Sequence, residues 1–186
     1  MNPTQSLDII SEMVAASRTN ISKSSFYYLV WGWLVLIGAL ANYALLRWSL
    51  VDRPDLVWLV LIPIGMVSSI VYGYRHRDQE RSTRTFMDRA MMHVWIGFFG
   101  PLLLALVFGY SGNWNAAYAL FIASYGWMTI SMGGILNFRP LVVGGALNMP
   151  LALLAYMVSP INSFLVLALA ILISYIIPGT MLKRAD

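Results

Sequence analysis

No cysteine occurs in the chain, which excludes disulfides, thiolate metal sites and cysteine nucleophiles and leaves the redox compartment unmarked. Charge is nearly as scarce. Only 11% of the 186 residues are Asp, Glu, Lys or Arg, where a soluble domain carries about 25%. None of these, and neither histidine, falls inside any of six long apolar runs. An ionised group at mid-bilayer costs at least about 2.5–3.5 kcal/mol, so those that occur mark proton or ion relays. Their absence argues against a proton-coupled pump, a voltage sensor or a carboxylate-based membrane hydrolase. A glycine-rich phosphate loop, a GxSxG elbow and an HExxH pair are missing too.

What is present is apolar: 59% of the chain is hydrophobic and mean hydropathy is +0.70. The expected fold is therefore all-α and membrane-embedded, a single domain. The expected spans are residues 26–46, 56–74, 94–110, 116–136, 141–158 and 164–182; about 20 residues cross a hydrocarbon core. Ala39-Leu40-Ala41 imitates a leader cleavage site, but 25 residues precede that run and it has full membrane length. Residues 1–25 read as an amphipathic helix on the cytoplasmic or interfacial side. Asn2 is its cap, Pro3 and Gln5 suit its first turn, and Leu7, Ile10, Val14 and Ile21 form its stripe. Packing on the protein itself, on lipid or on another copy are all open to it.

The longest polar stretch is the loop 75–93, RHRDQERSTRTFMDRAMMH. With six spans it lies on the same side as both termini. That side holds Arg18, Lys23, Arg75, Arg77, Arg81, Arg84, Arg89, Arg139, Lys183 and Arg184, ten cations against Arg47 and Arg53 opposite. The split predicts both termini in the cytoplasm. The pI near 9.5 then points to anionic lipid headgroups, met by Arg75, Arg77, Arg81, Arg84 and Arg89, rather than to nucleic acid. His76 and His93 are the only histidines and weak candidates for a metal; their spacing matches no known ligand pattern, and no cofactor is expected.

Uncharged polar groups are the remaining site candidates. Gly144-Gly145-Ala146-Leu147-Asn148-Met149-Pro150 is the expected place for a broken fifth helix, because Pro150 frees the carbonyl of Ala146. Asn148 would then meet a substrate, that carbonyl or another helix; the alternative is that the glycines serve close packing. Pro63, Pro101 and Pro178 interrupt three further spans, leaving room for a polar cavity lined by Tyr125 and Trp127. Asn42 is expected to bond a neighbouring helix. Gly65, Ser69 and Gly73, and likewise Ala105 and Gly109, make small-residue stripes for helix contacts within or between copies.

Ser25-Phe26-Tyr27-Tyr28-Leu29-Val30-Trp31-Gly32-Trp33, Phe138-Arg139-Pro140-Leu141-Val142-Val143-Gly144-Gly145 and Tyr175-Ile176-Ile177-Pro178-Gly179 carry a resemblance. With them the chain resembles a family of small, uncharacterised six-span bacterial inner-membrane proteins. The resemblance implies that topology and a bacterial cytoplasmic membrane, and it brings no activity. Three functional readings follow. The first is a non-catalytic protein acting through helix association, as a homo-oligomer, regulator or scaffold. The second is a channel or permease for a small neutral solute at the fifth helix. The third is a lipid-modifying enzyme using His76, Asp78, Glu80, Asp88 and His93 of the loop.

Overall fold

A computed structural model describes residues 3–51, 53–75 and 86–184, with backbone alone over 3–24 and 86–90. It is 90% helical, and no strand occurs among the described residues. The helices are α1 (Pro3–Arg47), α2 (Leu56–Arg75), α3 (Phe86–Tyr110), α4 (Trp114–Ile135), α5 (Arg139–Met157), α6 (Pro160–Ile171) and α7 (Ile177–Arg184). A five-residue π-helical segment, Leu172–Ile176, joins α6 to α7 without a turn.

Among the described residues, five stretches are long and apolar enough to cross a membrane: Ser25–Arg47, Leu56–Arg75, Met91–Tyr110, Arg139–Met157 and Pro160–Arg184. They match five of the six expected spans to within a few residues. The expected fourth span forms a 22-residue helix but is less apolar than these five. Asn115, Ser124, Thr129, Ser131 and three glycines dilute it, and much of what they dilute is buried against neighbouring helices. For α2 and α3 only 6% of the apolar window is buried within the chain. Faces of that size and polarity require lipid rather than water as their solvent.

The expected break between a surface helix and the first span is absent. Residues 3–47 form one 45-residue helix, roughly 67 Å long at 1.5 Å per residue. No glycine occurs before Gly32 and the only proline is Pro3, at the first turn, so nothing local stops it. The cap Asn2 and the charged residues 76–85 lie outside the described residues, as do the side chains of the Leu7–Ile21 stripe.

Turns sit where the chain has the residues for them. Gly112 takes φ +86°, open to glycine without strain, and the Asn113 side chain accepts the N–H of Ala116 to cap α4. Ser159 caps α6 in the same way through Asn162. Before α2, Arg53 donates two hydrogen bonds to Asp55, at 3.0 and 3.2 Å. Those bonds hold the Asp55 carboxyl below its ordinary range and raise the guanidinium.

The bundle is organised around α6. It packs on α1, α4 and α5, while α1 and α4 make no close contact with each other. Ala39, Ile122, Leu141, Ala155, Ala170 and Ile171 are fully buried where these helices meet. Among the described residues, α2 packs closely on α1 alone and α3 on α4 alone. The small-residue stripes serve these two attachments. A Cβ on Gly65 would lie 3.0 Å from the Trp31 ring, and Trp31 Nε1 donates to Ser69 Oγ at 3.1 Å. A Cβ on Gly109 would lie 2.9 Å from Trp114, and Ala105 is fully buried. Both contacts lie within one chain.

Candidate functional site

The fifth helix is not broken. α5 runs as a regular helix through Gly144, Gly145 and Pro150. The two glycines face different neighbours, as adjacent helix positions must, about 100° apart. A Cβ on Gly145 would lie 2.7 Å from the Gly126 carbonyl oxygen and 2.8 Å from the Ile130 nitrogen, both in α4. One on Gly144 would lie 2.7 Å from the Ile173 carbonyl oxygen, beyond the end of α6. Here the glycines let three backbones meet, and the helix continues without a break through Pro150.

The irregular helix is the sixth. Ile177 N–H donates to Leu172 O, five residues back, and Pro178 has no N–H to offer. Neither of the two helical donors that normally serve the Ile173 carbonyl is therefore left for it. Its oxygen lies 2.7 Å from where a Cβ on Gly144 would stand. Pro178 marks an interruption of this span in sequence, with the Ser174 carbonyl the one expected to be freed; the diverted Ile177 bond and the place of Gly144 beside it were not legible there.

Asn148, one turn after Gly144, is fully buried at the junction of α4, α5 and the π segment. Its Nδ2 donates to Ser174 Oγ at 3.1 Å, and Ser174 Oγ donates to Ala170 O at 2.7 Å. Its Oδ1 has no hydrogen-bond partner. A wall of rings stands nearby on α1, α4 and the π segment: Tyr28–Tyr175 centroids are 4.9 Å apart and Tyr125–Tyr175 5.4 Å. Tyr175 OH reaches Met128 Sδ at 3.4 Å, while buried Tyr28 OH has no partner. Of these, Tyr125 was a candidate from sequence, whereas Ser174, Tyr28 and Tyr175 were not singled out as site residues; a polar residue at helical spacing from Pro178 was the available signal.

The other candidates scatter. Trp127 is 65% exposed, turned outward because Gly126, Thr129 and Gly133 take the inner face of α4. Tyr125 is inward, between Phe98 and Tyr175. Asn42 is buried, but it donates to Gly38 O of its own helix at 2.9 Å and not to a neighbouring helix. Pro150 is exposed. Of the loop residues, Arg75 is exposed at the end of α2, His93 is exposed on α3, and Arg89 is described by its backbone alone. Arg77, Arg81, Arg84 and His76 lie outside the described residues.

A groove opens at Gly144, between α5 and the junction of the π segment with α7. It holds about 380 Å³ and is lined by Arg139, Pro140, Val143, Gly144 and Leu147 of α5 and by Ile173, Ile177 and Pro178. Arg139 is the only ionisable residue in that lining. Asn148 does not reach the groove. At Gly144 and Gly145 the backbone of α5 lies tight against the π segment and α4 on the two sides of this stretch.

No protein-family model matches the chain, and neither a curated protein nor a solved structure does.

Proposed function

We propose that this is a six-span protein of a bacterial cytoplasmic membrane, both termini inside, acting through association with another copy of itself rather than by catalysis. The ten-to-two split of cations supports the orientation. The sixth crossing is supported by connection length. Residues 111–113 and 136–138 are short links, so if α3 and α5 both cross, the 22 residues of α4, roughly 33 Å, must return the chain between them. The basic residues of the inner side then meet anionic headgroups.

One observation carries the association. With both sequence-marked stripes consumed inside the chain, Gly97 and Gly100 are, among the residues of α3 whose side chains are described, the small ones left outside, both exposed, with nothing within 4 Å of an added Cβ. α3 is held by a single neighbour, and lipid-facing glycines let a second backbone approach closely. The lack of cysteine makes the test clean. Ile96→Cys, 62% exposed beside Gly97, is expected to form disulfide-linked dimers in native membranes. Val67→Cys on α2, 60% exposed, is expected to stay monomeric. Gly97→Leu with Gly100→Leu should abolish the Ile96→Cys crosslink; a crosslink that persists unchanged refutes this interface.

A further inference from the structure

The groove between α5 and the α6–α7 junction differs from the rest of the apolar surface in three ways. It is a shallow, open depression of about 380 Å³. Its floor is permanent, because Gly144 and the π segment hold the two walls at backbone contact. And its polarity is one-ended. The helices that flank it run antiparallel, since α5 meets α6 and the π segment through Ala155 with Ser163 and Asn148 with Ser174. Arg139 therefore lies at the same end as α7, whose last residues Lys183 and Arg184 are exposed. Leu147 and Ile173 close the other end without a charge. An apolar trough ending in a guanidinium is complementary to an amphiphile with a chain and an anionic head, and guanidinium binds phosphate oxygens in bidentate fashion.

We propose that this groove seats one acyl chain of an anionic phospholipid, with its phosphate on Arg139. The chain lies along Val143, Gly144 and Leu147 against Ile173 and Ile177. The lipid is drawn from the leaflet at the Arg139 end of α5. The site is separate from α3 and stands whether or not the protein self-associates.

The test uses the full chain in vesicles of phosphatidylcholine, with Leu147→Cys, 46% exposed at the groove, carrying a small fluorophore. Phosphatidylglycerol or phosphatidylcholine with brominated chains serves as the quencher. Brominated phosphatidylglycerol should quench with an apparent affinity about fivefold higher than brominated phosphatidylcholine, the preference expected of one cation near the surface. Arg139→Gln should bring the two lipids to equality, and Arg139→Lys should keep most of the preference. A label at Leu153→Cys, 70% exposed farther along α5, should show no preference. Equal quenching in the parent, a preference surviving Arg139→Gln, or one equally strong at Leu153→Cys would each overturn the site. Arg139 is exposed at a helix end, so its loss is not expected to impair folding.

Discussion

Placing one methyl group on Gly145 tests the packing on which the bundle depends. In Gly145→Ala the new carbon would start 2.7 Å from the Gly126 carbonyl oxygen and 2.8 Å from the Ile130 nitrogen. Both are backbone atoms of a regular helix, so no side chain can swing aside. Ordinary contact begins at 3.4 Å, and α4 and α5 must move apart by several tenths of an ångström along their whole contact. A gap of 0.5–1 Å forfeits about a quarter to a half of each dispersion contact it opens. Insertion of one carbon into a filled interface costs about 1–3 kcal/mol, roughly a five- to 150-fold shift toward the unfolded state. Gly134→Ala on α4 is the control. Nothing lies within 4 Å of its added carbon, so it should be neutral or gain up to about 1 kcal/mol of helix propensity. Reversible unfolding in mixed micelles with increasing dodecyl sulfate, followed through the seven tryptophans, reads both. A Gly145→Ala midpoint equal to the parent's, or an equal loss in Gly134→Ala, would refute the reasoning.

Asn148→Leu deletes the bond to Ser174 together with a buried carbonyl that has no partner; loss and relief offset, and stability should change by less than about 1 kcal/mol, whereas Asn148→Asp buries a charge and should cost several; the same titration separates them. Trp31→Phe deletes the bond to Ser69 and should cost about 0.6–2 kcal/mol. It should also raise the labelling rate of a cysteine placed at Gly65, at the α1–α2 contact. Asp55, whose carboxyl is held low by Arg53, supplies a contribution present at neutral pH and lost as pH falls through that lowered value. Because the pair is exposed, that contribution is small, and Asp55→Asn should lower the unfolding midpoint at pH 7 only slightly; a marked shift would show the pair to be more than a surface contact. Cysteines at Asn113 and Asn162 should react with an impermeant maleimide from outside intact cells, and protection of both would overturn the proposed orientation.

Composition alone determined the solvent. The run lengths, the charge-free interiors and the turn residues are local properties, and five spans appear within a few residues of where hydropathy puts them. The bias of cations is equally local and supports an orientation without any contact being known. Which face of each helix turns inward was left to the tertiary structure. In water a buried face is marked by contrast with a polar one, but in lipid both faces are apolar, so Trp127 and Tyr125 look equally able to line an interior. Glycine and proline carry the same ambiguity. Gly144, Gly145 and Pro150 read as a break until the backbones of α4 and of the π segment lie against them. Pro178 reads like three other prolines until its missing N–H coincides with a diverted Ile177 bond. A helix breaks or holds according to what stands beside it, and only the assembled bundle supplies that neighbour.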